Sequence, residues 1–153
     1  MVSLKDILLT KEKVIPNQKG NIKHVIKTDS KGFCGFGEIY FSSIKINEIK
    51  GWKKHNKMTL NIVVPYGKIK FVIFDDKVIN SEKKNEFFEV ILSPDNYYRL
   101  TIPPGLFVAF QGIESKESIL LNFSNIKHSE DIVDSFPLKA IQYDWKIFDR
   151  SEI

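Results

Sequence analysis

Two β-rich runs, MTLNIVV (58–64) and KIKFVIF (68–74), stand on either side of Pro65-Tyr66-Gly67, and no other stretch constrains the fold as tightly. Val, Ile and Phe dominate both runs, as strands with at least one buried face require. Pro-Tyr-Gly between them reads as a tight turn, with Gly supplying a backbone shape that other residues resist. The local expectation is a hairpin.

The same grammar recurs along the chain. Strands are expected at GNIKHVIK (20–27), at 38–46 within FCGFGEIYFSSIKI, and at FFEVILS (87–93), YYRLTI (97–102), LFVAFQGI (106–113) and SILLNFS (118–124). Turn signals separate them at Asp29-Ser30-Lys31-Gly32, at Ser93-Pro94-Asp95-Asn96, at Ile102-Pro103-Pro104-Gly105 and at 114–117, and a charged linker, KVINSEKKNE, covers 77–86. Short strands with a turn every ten or so residues describe an all-β sandwich or barrel. Residues 1–19 read as a short first strand or an attached arm. Residues 128–153 read as a carboxy-terminal extension, with a short helix or loop at HSEDIVDS and then the aromatic segment IQYDWKIF. All 153 residues fit one domain.

Composition narrows the function classes. No apolar run approaches the 18 or so residues that span a bilayer, and Asp6 interrupts the apolar patch of the first segment, so neither a membrane span nor a signal peptide is expected. The single cysteine, Cys34, suggests a reducing compartment, most simply the cytoplasm. Net charge is +4, but only Arg99 and Arg150 are arginines and the lysines are dispersed, which argues against a nucleic-acid partner.

The cations do concentrate once, just before the first β run, as Lys50, Lys53, Lys54 and Lys57 around His55. One reading is a solvated lysine loop. The other is a local site for a phosphorylated small molecule, which lysine serves as a point charge. In an extended segment residues 53 and 55 share a face. Trp52 and Tyr66 flank the cluster as stacking candidates, whereas Phe107 and Phe110 at strand spacing read as core. Asn61 and Gln111 are candidate polar contacts. His24, His55 and His128 form no His-x-His pair, so no metal and no cofactor is expected.

GEIYFS (37–42), IKGWKKH (49–55), Gly67 with FVIFDD (71–76), LSPDN (92–96), IPPGLFVAF (102–110) and Trp145 occur in an order that resembles the dTDP-4-dehydrorhamnose 3,5-epimerase family, over about residues 20 to 146. The resemblance implies a cupin-type antiparallel β-jelly roll that works on a nucleotide-linked 4-keto sugar in surface-polysaccharide biosynthesis. It also implies a homodimer that exchanges amino-terminal strands, and no metal. The family's Arg-Gly-Leu-His motif falls on Lys50-Gly51-Trp52-Lys53, which puts lysine at the position of the catalytic base and His55 two residues on. A second family histidine falls on Val108, two acid tyrosines on Leu121 and Lys127, and the carboxylate that orients the base near Phe136.

Epimerisation beside a ketone needs a base, a cation for the enolate and an acid on the opposite ring face. Lys53 and His55 are therefore the candidate catalytic pair, with Lys50, Lys57, Trp52, Asn61, Tyr66 and Gln111 as candidate substrate contacts. The expected function is a nucleotide-sugar epimerase or isomerase. The alternative is a non-catalytic cupin that binds a sugar or nucleotide sugar as the partner of a pathway enzyme.

Overall fold

A computed structural model describes residues 1–78 and 86–148. Ten strands are formed among these residues: β1 (Leu8–Lys11), β2 (Val14–Ile15), β3 (Ile22–Lys23), β4 (Glu38–Lys45), β5 (Ile49–His55), β6 (Leu60–Phe74), β7 (Phe87–Leu92), β8 (Tyr98–Ile102), β9 (Phe107–Ser124) and β10 (Val133–Ser135). Their only helical companions are short 3₁₀ turns. The architecture is the expected cupin-type antiparallel jelly roll.

The first surprise lies at Pro65-Tyr66-Gly67, which makes no hairpin. Both β-rich runs belong to one strand, β6, that stays paired with β9 from Leu60 to Phe74 through register shifts between Val63 and Ile69. The inward positions show why a shift is needed. They are Leu60, Ile62 and Val64 before it, and Ile69, Phe71 and Ile73 after it. The parity of a strand can change only where an extra residue is inserted, as a β-bulge does. Gly67 takes a φ of 75° there, and a Cβ on it would lie 2.2 Å from Ser118 Oγ. That hydroxyl accepts from the Lys68 N–H (3.0 Å), so it serves a backbone group the bulge has set free. The turn expected at 114–117 is likewise absorbed, into the continuous 18-residue strand β9.

Two long bent strands thus carry the sandwich. The first half of β6 and the second half of β9 form one layer with β8, β1 and β4. The other halves form a second layer with β7, β5 and β10. Residues from both layers meet in one buried cluster that includes Leu60, Ile62, Phe71, Ile73, Leu100, Val108 and Leu120. The outer face of the second layer carries a separate cluster of Trp52, Val72, Phe74, Phe107 and Ala109, capped by Leu138, Ile141, Tyr143 and Trp145 of the carboxy-terminal extension.

Other local expectations also shift. The strand expected at 20–27 is reduced to Ile22–Lys23, which pairs with β2 inside the amino-terminal arm. Lys50, Lys53, Lys54 and His55 lie not in a loop but in strand β5, and Lys57 follows just after it. HSEDIVDS forms a 3₁₀ turn at His128–Glu130 and then β10. The first part of the charged linker is a 3₁₀ turn at Asp76–Val78, and its residues 79–85 lie outside the described residues.

Candidate functional site

A cavity of about 350 Å³ opens between the two layers. Its floor is apolar, made by Leu60, Ile62, Val108, Phe110 and Leu120. The first layer contributes Tyr40 and Ser42 from β4 and Asn122 from β9. The second contributes Lys50, Gly51, Lys53 and His55 from β5, and His128 stands at the same cavity. This volume suits a small molecule, and a mainly apolar wall with a few convergent polar groups is the usual form of such a site.

β5 points the right residues inward because its alternation is interrupted once. The pairing with β9 shifts between Lys50 and Lys53, so that Lys50, Lys53 and His55 reach the cavity while Trp52 and Lys54 face the other way. Gly51 sits at the shift with a φ of 140°, and a Cβ there would come within 2.5 Å of the Ala109 side chain. Only glycine lets β5 approach β9 so closely.

His55 is the best-defined group in the cavity. Its Nδ1 lies 2.6 Å from Asp131 Oδ2, and the Asp131 side chain is fully buried. The other oxygen, Asp131 Oδ1, accepts from the backbone N–H groups of Lys57 (2.9 Å) and Met58 (3.2 Å). Burial alone would raise the Asp131 pKa. The hydrogen bond from His55 and the backbone N–H groups of Lys57 and Ile132 outweigh it and hold the carboxyl below its usual value. An ionised carboxylate only accepts, so it fixes a proton on Nδ1 and leaves Nε2 as the nitrogen that can exchange a proton with a ligand. The carboxylate that meets His55 is Asp131, while Phe136 stacks on Phe107 (4.4 Å) on the opposite face of the second layer.

A tyrosine also reaches the cavity, from an unexpected strand. Leu121 and Lys127 supply none, but Tyr40 does, and Asn122 Nδ2 donates to its hydroxyl (3.0 Å). Burial raises the Tyr40 pKa, the Asn122 hydrogen bond opposes it, and the Glu38 charge adds to it, so the phenol keeps its proton at neutral pH. Lys50 Nζ is anchored on the Ser43 carbonyl (2.7 Å), while the Lys53 side chain is exposed at the cavity.

The remaining candidates lie elsewhere. Trp52 is fully buried in the outer cluster and donates from Nε1 to the Leu138 carbonyl (3.3 Å). Asn61 is buried on the outer face of the first layer, where its carbonyl accepts from Arg99 (2.5 Å) and Thr101 (2.7 Å). Gln111 points outward and donates to the Lys146 carbonyl (2.8 Å). Tyr66 is exposed on the bulge, and Lys57 is exposed, with its backbone N–H rather than its ammonium donating to Asp131. None of these five lines the cavity. Asp131 and Tyr40 were the residues missed. Tyr40 had a signal, because Tyr40, Ser42 and Ile44 share one strand face. Asp131 had none, since nothing local in HSEDIVDS marks which carboxylate turns inward.

Among the described residues, no three His, Cys, Asp or Glu side chains converge as a metal site would require, and no helix is long and apolar enough to cross a membrane. No protein-family model matches the chain, and no curated protein matches it. Solved structures do. A dTDP sugar isomerase from Desulfovibrio desulfuricans G20 is 31% identical, with a TM-score of 0.85 over 97% of this chain and 96% of that one. A dTDP-4-dehydrorhamnose 3,5-epimerase from Sulfolobus tokodaii is 24% identical, with a TM-score of 0.75 over 95% and 86%. QdtA, a sugar 3,4-ketoisomerase from Thermoanaerobacterium thermosaccharolyticum in complex with TDP, is 17% identical, with a TM-score of 0.67 over 85% and 89%. The last two speak for the fold alone.

Proposed function

The chain belongs to the family of dTDP-sugar isomerases and dTDP-4-dehydrorhamnose 3,5-epimerases, and from that premise we propose that it transfers a proton beside the ketone of a nucleotide-linked 4-keto-hexose, epimerising or isomerising the sugar. The observation that carries this reading is the His55–Asp131 pair, a buried carboxylate holding an imidazole at the wall of a cavity that also contains two lysines and a protonated tyrosine.

The chemistry follows from those groups. His55 Nε2 takes the proton from the carbon next to the carbonyl, and the electron pair moves onto the carbonyl oxygen as an enolate. Asp131 stabilises the imidazolium that forms. Lys53 balances the enolate charge, and Lys50 adds positive potential for a diphosphate. Tyr40 comes from the other layer of the sandwich and is suited to deliver a proton to the opposite face of the ring, which inverts the centre. His55 then loses its proton and Tyr40 regains one from water, which restores the starting state. Transfer of the neighbouring hydroxyl's proton to the enolate oxygen, followed by return of the abstracted proton from the same side to the former carbonyl carbon, would instead give a ketoisomerase.

The working unit in this reading is a cytoplasmic homodimer. Among the described residues β4 pairs only with β9, so its other edge is free. Its outward face shows Ile39 (51% exposed) and Phe41 (70%), next to Phe36 (62%). An apolar strand edge of this length is a template for a second chain. The exposed thiol of Cys34 suits a reducing compartment.

Incubation with nucleotide 4-keto-sugars in deuterated water, followed by NMR, tests the activity. Deuterium should enter at carbon 3 or 5. Tight binding with no exchange would instead assign the chain to the non-catalytic, sugar-binding class.

A further inference from the structure

Building on the proton-transfer reading, the geometry points to Lys54 as a positioning residue, which holds the strap of residues 131–136 from behind β5 and so sets Asp131 against His55. Lys54 never faces the cavity. It lies between Lys53 and His55 in sequence, and strand alternation turns it to the opposite side, over the Phe107 ring (4.9 Å). Its Nζ is 2.7 Å from Asp76 and 3.6 Å from Asp134, and its side chain is only 16% exposed.

The strap needs such a pin. β10 is three residues long and, among the described residues, pairs on one side only, with Asp134 opposite Lys54 and Val133 opposite His55. Asn56 helps at one end, its backbone N–H donating to the Ile132 carbonyl (2.9 Å) and its side chain to Asp134 (3.0 Å). At the other end Phe136 and Trp52 exchange backbone hydrogen bonds of 3.0 and 3.2 Å. Asp131 lies three residues before Asp134, so a displacement of β10 moves the carboxylate off Nδ1. Removing the Lys54 charge would do more than delete a tie. It would leave Asp76 and Asp134 facing each other with no cation between them, turning the clamp into a repulsion. The hydrogen bond to Asp76 holds the Lys54 pKa above its usual value, in keeping with an ammonium that stays charged in this role.

A measurement that needs no substrate decides the matter. The Nδ1 proton of His55, held on a carboxylate 2.6 Å away, should give a far-downfield resonance in protein carrying ¹⁵N-labelled histidine, and Asp131→Asn should abolish it. Lys54→Met should broaden or remove the same resonance. Lys54→Arg should keep it, as should Lys68→Met, which breaks the separate Lys68–Glu114 pair (2.7 Å). A folded Lys54→Met protein with the resonance at wild-type intensity would overturn the inference. Should Lys54→Met not fold, Asp134→Ala is read in the same way, with weakening expected and full intensity fatal.

Because the signal is independent of turnover, it stands or falls separately from the deuterium-exchange test. Where exchange is observed, Lys54→Met should lower kcat by about 10- to 100-fold with KM little changed, the scale of a catalytic group misplaced by about 1 Å. In the Asp131→Asn background it should cost nothing further. An additive loss would mean that Lys54 acts on general stability and not through Asp131.

Discussion

At the scale of single residues, the His55–Asp131 pair makes the sharpest claims. His55→Ala should slow proton exchange by about a hundredfold or more, and Asp131→Asn by a comparable factor, the range for a lost acid–base group. Lys53→Ala should abolish turnover and leave folding intact, because its side chain is exposed. The Asp131 pair also contributes to stability with a definite sign. The folded carboxyl titrates below its ordinary value of 3.8, so its contribution is present in full above that pH and disappears as pH falls through the folded value. Urea unfolding at several pH values should therefore show the gap between wild type and Asp131→Asn widest near neutrality and closing below about pH 4. A gap that stays constant down to pH 2 would mean that folding does not lower the Asp131 pKa. The sequence showed the cations and the histidine of this site. It could not show that the strap returns a carboxylate to them across 76 residues of chain.

At the scale of elements, β6 is decided by its bulge. Gly67→Ala must accept both a positive φ and a collision with Ser118, whereas Gly105, with a φ of 94°, has nothing within 4 Å of an added Cβ. Gly105→Ala should cost only the backbone strain, on the order of 1 kcal/mol. Gly67→Ala should cost clearly more, on the order of 2–4 kcal/mol once the displaced Ser118 is included. Chemical denaturation of the two variants in parallel checks the ranking, and equal losses would mean that the bulge is not as tight as the contact distances indicate. The hairpin expectation failed at this scale for a clear reason. Pro-Tyr-Gly has turn chemistry, but both flanking runs find the same partner, β9, which lies alongside without a reversal. Turn residues permit a bend or a bulge equally well, and the neighbouring strand selects between them.

For the whole molecule, the exposed row of Ile39 and Phe41 on β4, whose second edge is unpaired among the described residues, bears on assembly. Phe41→Glu should shift sedimentation from dimer to monomer at micromolar concentration. Phe41 faces away from the cavity, so the His55–Asp131 resonance should be unchanged. Wild-type protein that sediments only as a monomer would remove the dimer from the proposal.

Strand content, the sandwich class and the family resemblance were legible from residue order, because the alternation of Val, Ile and Phe with polar residues encodes burial locally. The cation cluster and the shared face of Lys53 and His55 were legible for the same reason, since the side-chain period of a strand is two. Which long strands run through both layers, which face Trp52 and Lys54 take after the irregularity at Gly51, that Tyr40 reaches the cavity and that Asp131 meets His55 were set only in three dimensions. Each depends on pairing between residues far apart in the chain, with Tyr40 opposite Asn122 and Val133 opposite His55. Local propensity carries no record of a partner strand, so register, bulge position and the convergence of distant side chains arise only when the layers close on one core.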